Sequence, residues 1–333
     1  MQRTRRLHVA GPLLCLVLAT GAFSEELPLF DLPVACELGR SCFIQNYVDA
    51  DPSASTRDYT CGTLSYDGHN GTDIRLPTMA EQRAGVDVLA AAPGRVLRRR
   101  DGMADTSVRE GGRDAVKGSE CGNAVVIAHD AGWETQYCHM ARGSLRVAVG
   151  ERVEARQPIG RIGLSGLTEY PHLHFIVRHR GEIVDPFAHQ AAPNACGAGR
   201  MLWLPALRPA LAYQPRQVLN AGFAGTPVTM ASLEAGDVVR QPPDTETPAL
   251  VAYIRGIGLK IGDVQAMILR DPSGQVIARH EAERLPRNQA QTLIFVGLRK
   301  PPTGWARGTY KASYTVLHEG NLVLERSFNI DLR

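Results

Sequence analysis

Between residues 62 and 187 the chain is a succession of short apolar or alternating runs, separated by turns that carry glycine and proline. An apolar stripe at helical spacing is almost absent there. Successive side chains of a strand point to opposite faces, so this pattern restricts the segment to strands with one face in a core. Short strands joined by tight turns pair antiparallel, and an antiparallel β domain is expected. The pattern returns after residue 249. Asp271-Pro272-Ser273-Gly274 separates two apolar runs, and Tyr310, Ala312, Tyr314 and Val316 alternate with Lys311, Ser313 and Thr315. Phe328, Ile330 and Leu332 repeat the alternation, which predicts a small immunoglobulin-like β-sandwich. The expected fold class is therefore all-β.

Within the first unit, residues 86–97 read as strand, Pro93-Gly94 turn and strand. Residues 123–129 and 133–140 form a hairpin across Asp130-Ala131-Gly132. Residues 98–120 are charged, rich in glycine and without apolar period, which predicts a long exposed loop. Five segments result: 1–24, 25–60, 61–190, 191–245 and 246–333. They are expected to be a signal peptide, an N-terminal extension that wraps the domain, the main β domain, a proline- and alanine-rich linker with a short helix, and the sandwich.

Arg3, Arg5 and Arg6 precede an apolar stretch, residues 9–22, and Ala22-Phe23-Ser24 resembles a cleavage site. The stretch is too short for a membrane span, so the mature chain is expected to carry none and to be exported to the periplasm or beyond. Removing residues 1–24 takes away three arginines and no acid, leaving 34 basic against 34 acidic residues. A balanced chain gives bulk charge no part in binding nucleic acid, and no such partner is expected. Six cysteines remain: Cys36, Cys42, Cys61, Cys121, Cys138 and Cys196. An even number in an exported chain predicts three disulfides, and Cys121–Cys138, flanking the hairpin, is the preferred pair.

The chemistry gathers on Pro171-His172-Leu173-His174-Phe175. On a strand, His172 and His174 share one face while Leu173 and Phe175 enter the core. A second segment, Tyr66-Asp67-Gly68-His69-Asn70-Gly71-Thr72-Asp73, places a turn at Asn70-Gly71, so His69 lies on a loop entering a short strand that carries Asp73. His139 lies on a strand between the two segments. A catalytic zinc wants three His, Asp or Glu ligands and one open position, so five such residues leave imidazoles over for proton transfer. His129, His179 and His189 are expected to be structural, and His280 and His318 receive no role.

His69-x-x-x-Asp73, Tyr137-x-His139 and His172-x-His174, in this order, resemble the lysostaphin-like (LytM-type) zinc endopeptidases that cut peptidoglycan cross-links. Gly150-x-x-Val153, Ile159-Gly160, Gly163-x-Ser165-Gly166 and Val184-Asp185-Pro186 resemble the same family, over roughly residues 60–190. The resemblance implies one Zn²⁺ per chain held by His69, Asp73 and His174, with His139 and His172 as unligated catalytic histidines. It implies a peptidoglycan peptide as substrate and names no protein partner. Two alternatives stay open: a non-catalytic wall-binding or regulatory protein using the same groove, and a zinc endopeptidase acting on proteins. Glu169-Tyr170 departs from the small residues common in the family at that place and is expected to reshape the groove rim. The 98–120 loop and residues 25–60 are both placed to wall or cover the groove.

Overall fold

The structure, a computed structural model, describes residues 27–192 and 195–333. The expected signal peptide lies outside the described residues. Among the described residues, ten strands precede residue 190: β1 Phe43–Asn46, β2 Thr72–Arg75, β3 Asp87–Leu89, β4 Gly94–Arg100, β5 Asn123–Ala128, β6 Trp133–Met140, β7 Arg152–Val153, β8 Pro158–Arg161, β9 His172–His179 and β10 Glu182–Val184. Eight of them make one sheet in the order β1-β2-β9-β6-β5-β4-β7, with β10 paired to β9, and every pairing is antiparallel. Strands β3 and β8 form a separate ribbon.

The alternation on β9 works as expected. Leu173, Phe175 and Val177 enter a core with Tyr137, Ile127 and Trp203, while His172 and His174 occupy the other face. The expected hairpin is β5–β6. Residues 25–60 contribute Phe30, Leu32 and Val34 to the same core and supply β1 as an edge strand on β2.

The charged 98–120 stretch is more ordered than a loop. Strand β4 runs on to Arg100, and a helical turn, α2 (Val108–Gly111), follows with Ser107 as its cap. A helix also interrupts the β pattern earlier: α1 (Met79–Ala84), started by Thr78 and closed by Gly85. At six residues it is too short to leave a helical period in the sequence.

Beyond residue 200 the strands are β11 Gln217–Ala224, β12 Ala249–Leu259, β13 Asp263–Arg270, β14 Val276–Glu281, β15 Gln289–Arg299, β16 Gly308–His318 and β17 Asn321–Leu332. A three-stranded sheet, β11-β12-β15, packs on a four-stranded one, β14-β13-β16-β17. Leu250, Ala252 and Ile254 of one meet Met267, Leu269, Tyr310, Ala312 and Tyr314 of the other in a shared core, giving a β-sandwich. The stretch expected as linker thus holds β11, paired along its length with β12, and a helix, α3 (Met230–Ala235).

The sandwich touches the first unit directly. Phe43 packs with Leu219 and Ile257, Gln217 Nε2 donates to the Ile44 carbonyl at 3.0 Å, and Arg83 donates to Ala235 at the end of α3. Among the described residues there are three disulfides: Cys36–Cys42, Cys61–Cys196 and the expected Cys121–Cys138. Among the described residues no helix is long and apolar enough to cross a membrane.

Candidate metal centre and its groove

Strand pairing sets Asp73 opposite His174, and Arg75 opposite His172, on one face of the sheet. His69 arrives from the preceding turn, where its N–H donates to the Tyr66 carbonyl. The turn must come close: a Cβ on Gly71 would lie 2.7 Å from the His174 ring and 2.7 Å from the Phe175 carbonyl oxygen. Glycine at 71 therefore lets the loop deliver His69 onto β9.

Three donor atoms converge as a result. His69 Nε2 is 3.2 Å from Asp73 Oδ1 and 3.2 Å from His174 Nδ1, and the last two are 2.8 Å apart. Donors on a tetrahedral zinc, with bonds of about 2.0–2.1 Å, stand about 3.3–3.4 Å apart, so the triangle is a few tenths of an ångström tight.

The outer hydrogen bonds decide which nitrogens carry protons. His69 Nδ1 faces the Tyr47 carbonyl at 2.6 Å, and a carbonyl only accepts, so Nδ1 holds the proton and Nε2 presents a lone pair. His174 Nε2 lies 2.9 Å from Asn70 Oδ1, which leaves a lone pair on Nδ1. Two nitrogen lone pairs and a carboxylate oxygen then point at one another. Only a cation, or a proton taken from solvent, relieves that repulsion. The donor set fits a metal ion of the zinc type, and each of its histidines gives its other ring N–H to an oxygen, as metal-bound histidines do.

The pKa directions follow the same charges. Burial alone pushes the His69 pKa down, but the Asp73 carboxylate outweighs it and the net shift is upward. Burial likewise pushes Asp73 up, yet His69, His172 and His174 hold it well below the usual carboxylate range. His174 is lowered, burial outweighing the pull of Asp73.

His139 and His172 stand beside this triangle, their rings 4.7 Å apart, and His139 is 5.9 Å from the His174 ring. Regular alternation would put His139 in the core with Tyr137. A β-bulge prevents it: Val125 pairs with Tyr137 and Asn123 with Met140, so two residues of β6 oppose one of β5. His139 takes φ 60°, rare for a residue with a side chain, and turns to the groove face. Its N–H donates to the Cys121 carbonyl and its Nδ1 to the Ser165 carbonyl, both at 2.8 Å, leaving Nε2 free. Burial first, then the neighbouring imidazoles, push the His139 pKa well below the ordinary value. His172 Nδ1 donates to the Tyr170 carbonyl at 2.9 Å, so its Nε2 also faces the groove, 3.4 Å from Asp73 Oδ1.

The remaining histidines lie elsewhere. His129 bridges the Pro93 carbonyl and Thr135, His179 stacks on Trp133, which His189 meets edge-on, and His318 pairs with Asp263. The rim is formed in part by the 98–120 stretch: Arg109 grips Glu169 Oε2 with two nitrogens at 3.0 and 2.8 Å, and Val108 N–H donates to the Thr168 carbonyl. Sequence reasoning missed Tyr47, which acts through a backbone carbonyl and so leaves no side-chain signal. It also missed Asn70, whose presence inside the Asn-Gly turn was read only as turn chemistry.

Residues 67–186 match the model of Peptidase family M23. Over this segment the resemblance to LytM-type peptidases is borne out. The chain is 31% identical over 148 residues to the DD-carboxypeptidase/endopeptidase Mpg of Neisseria meningitidis serogroup B, a match that takes in 44% of this chain and 30% of that protein. It is 32% identical over 117 residues to the peptidoglycan DD-endopeptidase ShyB of Vibrio cholerae serotype O1, taking in 35% and 22%. The chain thus spans less than a third of the length of either relative. Among solved structures it is similar to a zinc containing peptidase from Vibrio cholerae, with 26% identity, 43% of this chain and 39% of that one covered, and a TM-score of 0.28. The catalytic domain of lysostaphin from Staphylococcus simulans matches with 23% identity, coverage of 36% and 76%, and a TM-score of 0.26.

Proposed function

We propose that this protein is an exported zinc metalloendopeptidase that hydrolyses peptide cross-links of bacterial peptidoglycan, with His69, Asp73 and His174 as zinc ligands and His139 and His172 as catalytic residues. One observation carries the reading: the outer hydrogen bonds leave three unprotonated donor atoms facing each other at 2.8–3.2 Å, with two further imidazole lone pairs beside them. The Mpg and ShyB matches supply the substrate class, and three disulfides suit an oxidising compartment outside the cytoplasm.

Bound at the three donors, Zn²⁺ would lower the pKa of a coordinated water to about 7 and polarise the scissile carbonyl. The chain's own residues handle the protons. His139, whose Nδ1–H is held by the Ser165 carbonyl, keeps a lone pair on Nε2 and accepts the proton of the attacking water. In its imidazolium form, with Nδ1–H held by the Tyr170 carbonyl, His172 presents Nε2–H to the developing oxyanion or passes that proton to the leaving amine. Asp73 stays ionised throughout, which keeps the triangle anionic.

The test is release of new amine ends from purified peptidoglycan, with and without a chelator. Loss of activity on chelation, its return with zinc, and its absence in His174→Ala are the expected results. Binding of wall fragments without cleavage and without stoichiometric zinc would establish the non-catalytic alternative. Faster cleavage of glycine-rich peptides than of wall fragments would establish the protein-directed one.

A further inference from the structure

Arg75 is buried on β2 two positions from Asp73, on the same face of the sheet, and pairs with His172 across to β9. A guanidinium is costly to bury without partners. Its charge is met from outside the segment that matches the peptidase model. Glu234 Oε2, on α3, is 2.7 Å from Arg75 Nη2 and 2.5 Å from Nη1 of the buried Arg255 on β12. Gln45 Oε1 of β1 takes Arg75 Nη1 at 2.7 Å, and Arg255 also donates to the Pro77 carbonyl. The guanidinium carbon of Arg75 then sits 4.0 Å over the centre of the Tyr170 ring. That ring is 4.9 Å from the His172 imidazole, whose Nδ1 lies 2.9 Å from the Tyr170 carbonyl and 3.1 Å from Thr168 Oγ1, the hydroxyl that also donates to that carbonyl. An unbroken run of contacts leads from α3 to the groove.

Docking of the sandwich on the peptidase unit accounts for Glu234 with Arg255. It does not account for Arg75 facing Tyr170. Buried ionic triads are weak sources of stability, and apolar residues of similar volume often replace them without loss. What such a triad supplies is orientation. Two acceptors on separate elements fix the plane of the guanidinium fork, and the fixed plane holds the aromatic ring.

We propose that Glu234 is a positioning residue for His172, acting through the Arg75 guanidinium and the Tyr170 ring, so that the C-terminal sandwich is part of the catalytic unit. The inference rests on the reading of His172 as a catalytic residue of the groove. Glu234 itself touches neither substrate nor reacting atoms. With Glu234 neutralised, Arg75 loses its charged anchor and the Tyr170 ring is free to turn, so the aromatic wall beside the His172 imidazole is lost while the Thr168 hydroxyl still holds the Tyr170 carbonyl.

Two variants of the full chain test this. Glu234→Gln removes the charge at constant shape. The triple change Arg75→Met, Glu234→Leu and Arg255→Met empties the triad of charge and leaves no buried ion unpaired, so it keeps the question answerable if Glu234→Gln does not fold. Both are expected to lower kcat on cross-linked wall peptides about 10–100-fold with KM little changed, as loss of an outer-shell partner does. Both are also expected to shift and broaden the His172 ring signals in ¹⁵N spectra, because the Tyr170 ring no longer holds the imidazole in one orientation. A folded variant with wild-type kcat overturns the inference, and so does one that loses kcat while His172 keeps its wild-type spectrum. If the wild-type protein cleaves no wall peptide, the proposed function fails by itself, and the His172 spectrum of the variants still decides this inference.

Discussion

Gly71→Ala isolates the closest approach in the proposed metal centre. Gly71 lies outside the left-handed region, so its backbone accepts alanine without strain. The added methyl would stand 2.7 Å from His174 Cε1, 2.8 Å from His174 Nε2 and 2.7 Å from the Phe175 carbonyl oxygen. The carbonyl belongs to the β2–β9 pairing and cannot recede without breaking the sheet. The His174 ring can tilt, but doing so pulls Nδ1 away from Asp73 and Nε2 from Asn70. Forcing a methyl into such a place costs about 1–3 kcal/mol, and strain of that size taken by the ring corresponds to a loss of about 5–150-fold in zinc affinity. Zinc titration against a competing chelator measures the affinity, and thermal unfolding of the metal-free protein measures the stability. Gly68→Ala is the control. Gly68 has φ 73° and nothing within 4 Å of a built Cβ, so alanine there costs about 1–2 kcal/mol of backbone strain and leaves the ligands alone. Equal zinc affinity in Gly71→Ala and the wild type, or equal losses in both variants, would refute the claim that this glycine is there for His174.

Three more outcomes are expected. Zinc affinity falls as pH drops, because protons take the lone pairs of His69 and His174, and since the His69 pKa is raised the loss begins on the alkaline side of an ordinary imidazole; a pH-independent affinity would contradict the assigned tautomers. Asp185, raised to about 7 by burial with Oδ2 lacking a partner among the described residues, binds its proton more tightly folded than unfolded. Its contribution is therefore fully present below about pH 4 and is lost as pH rises towards 7, up to about 4 kcal/mol; denaturant midpoints of wild type and Asp185→Asn between pH 5 and 8 check this, and parallel curves would exclude it. Replacing Cys121 and Cys138 by serine opens a bridge of sequence separation 17 and is expected to cost about 3 kcal/mol. It also frees the bulge that holds His139 at φ 60°, so turnover should fall further than stability alone explains; unchanged kcat in the folded variant would show that His139 is held by Ser165 and the sheet alone.

Much of the molecule can be read from residue order because a strand has period two. That period placed Leu173 and Phe175 in the core, set His172 and His174 together on the open face, and marked the alternating strands around Tyr310 and Phe328. The Asn70-Gly71 turn, with Asp73 on the strand after it, was legible for the same local reason. Alternation failed at His139, where a bulge adds a residue to β6 and reverses the face. A bulge depends on the partner strand, and nothing in Tyr137-Cys138-His139 announces it. Nor does local order reveal the Tyr47 carbonyl behind His69, or Glu234 reaching Arg75 across 159 positions of chain. Chemical identity is written residue by residue, but the direction a lone pair faces is set by whichever acceptor the fold brings up behind it.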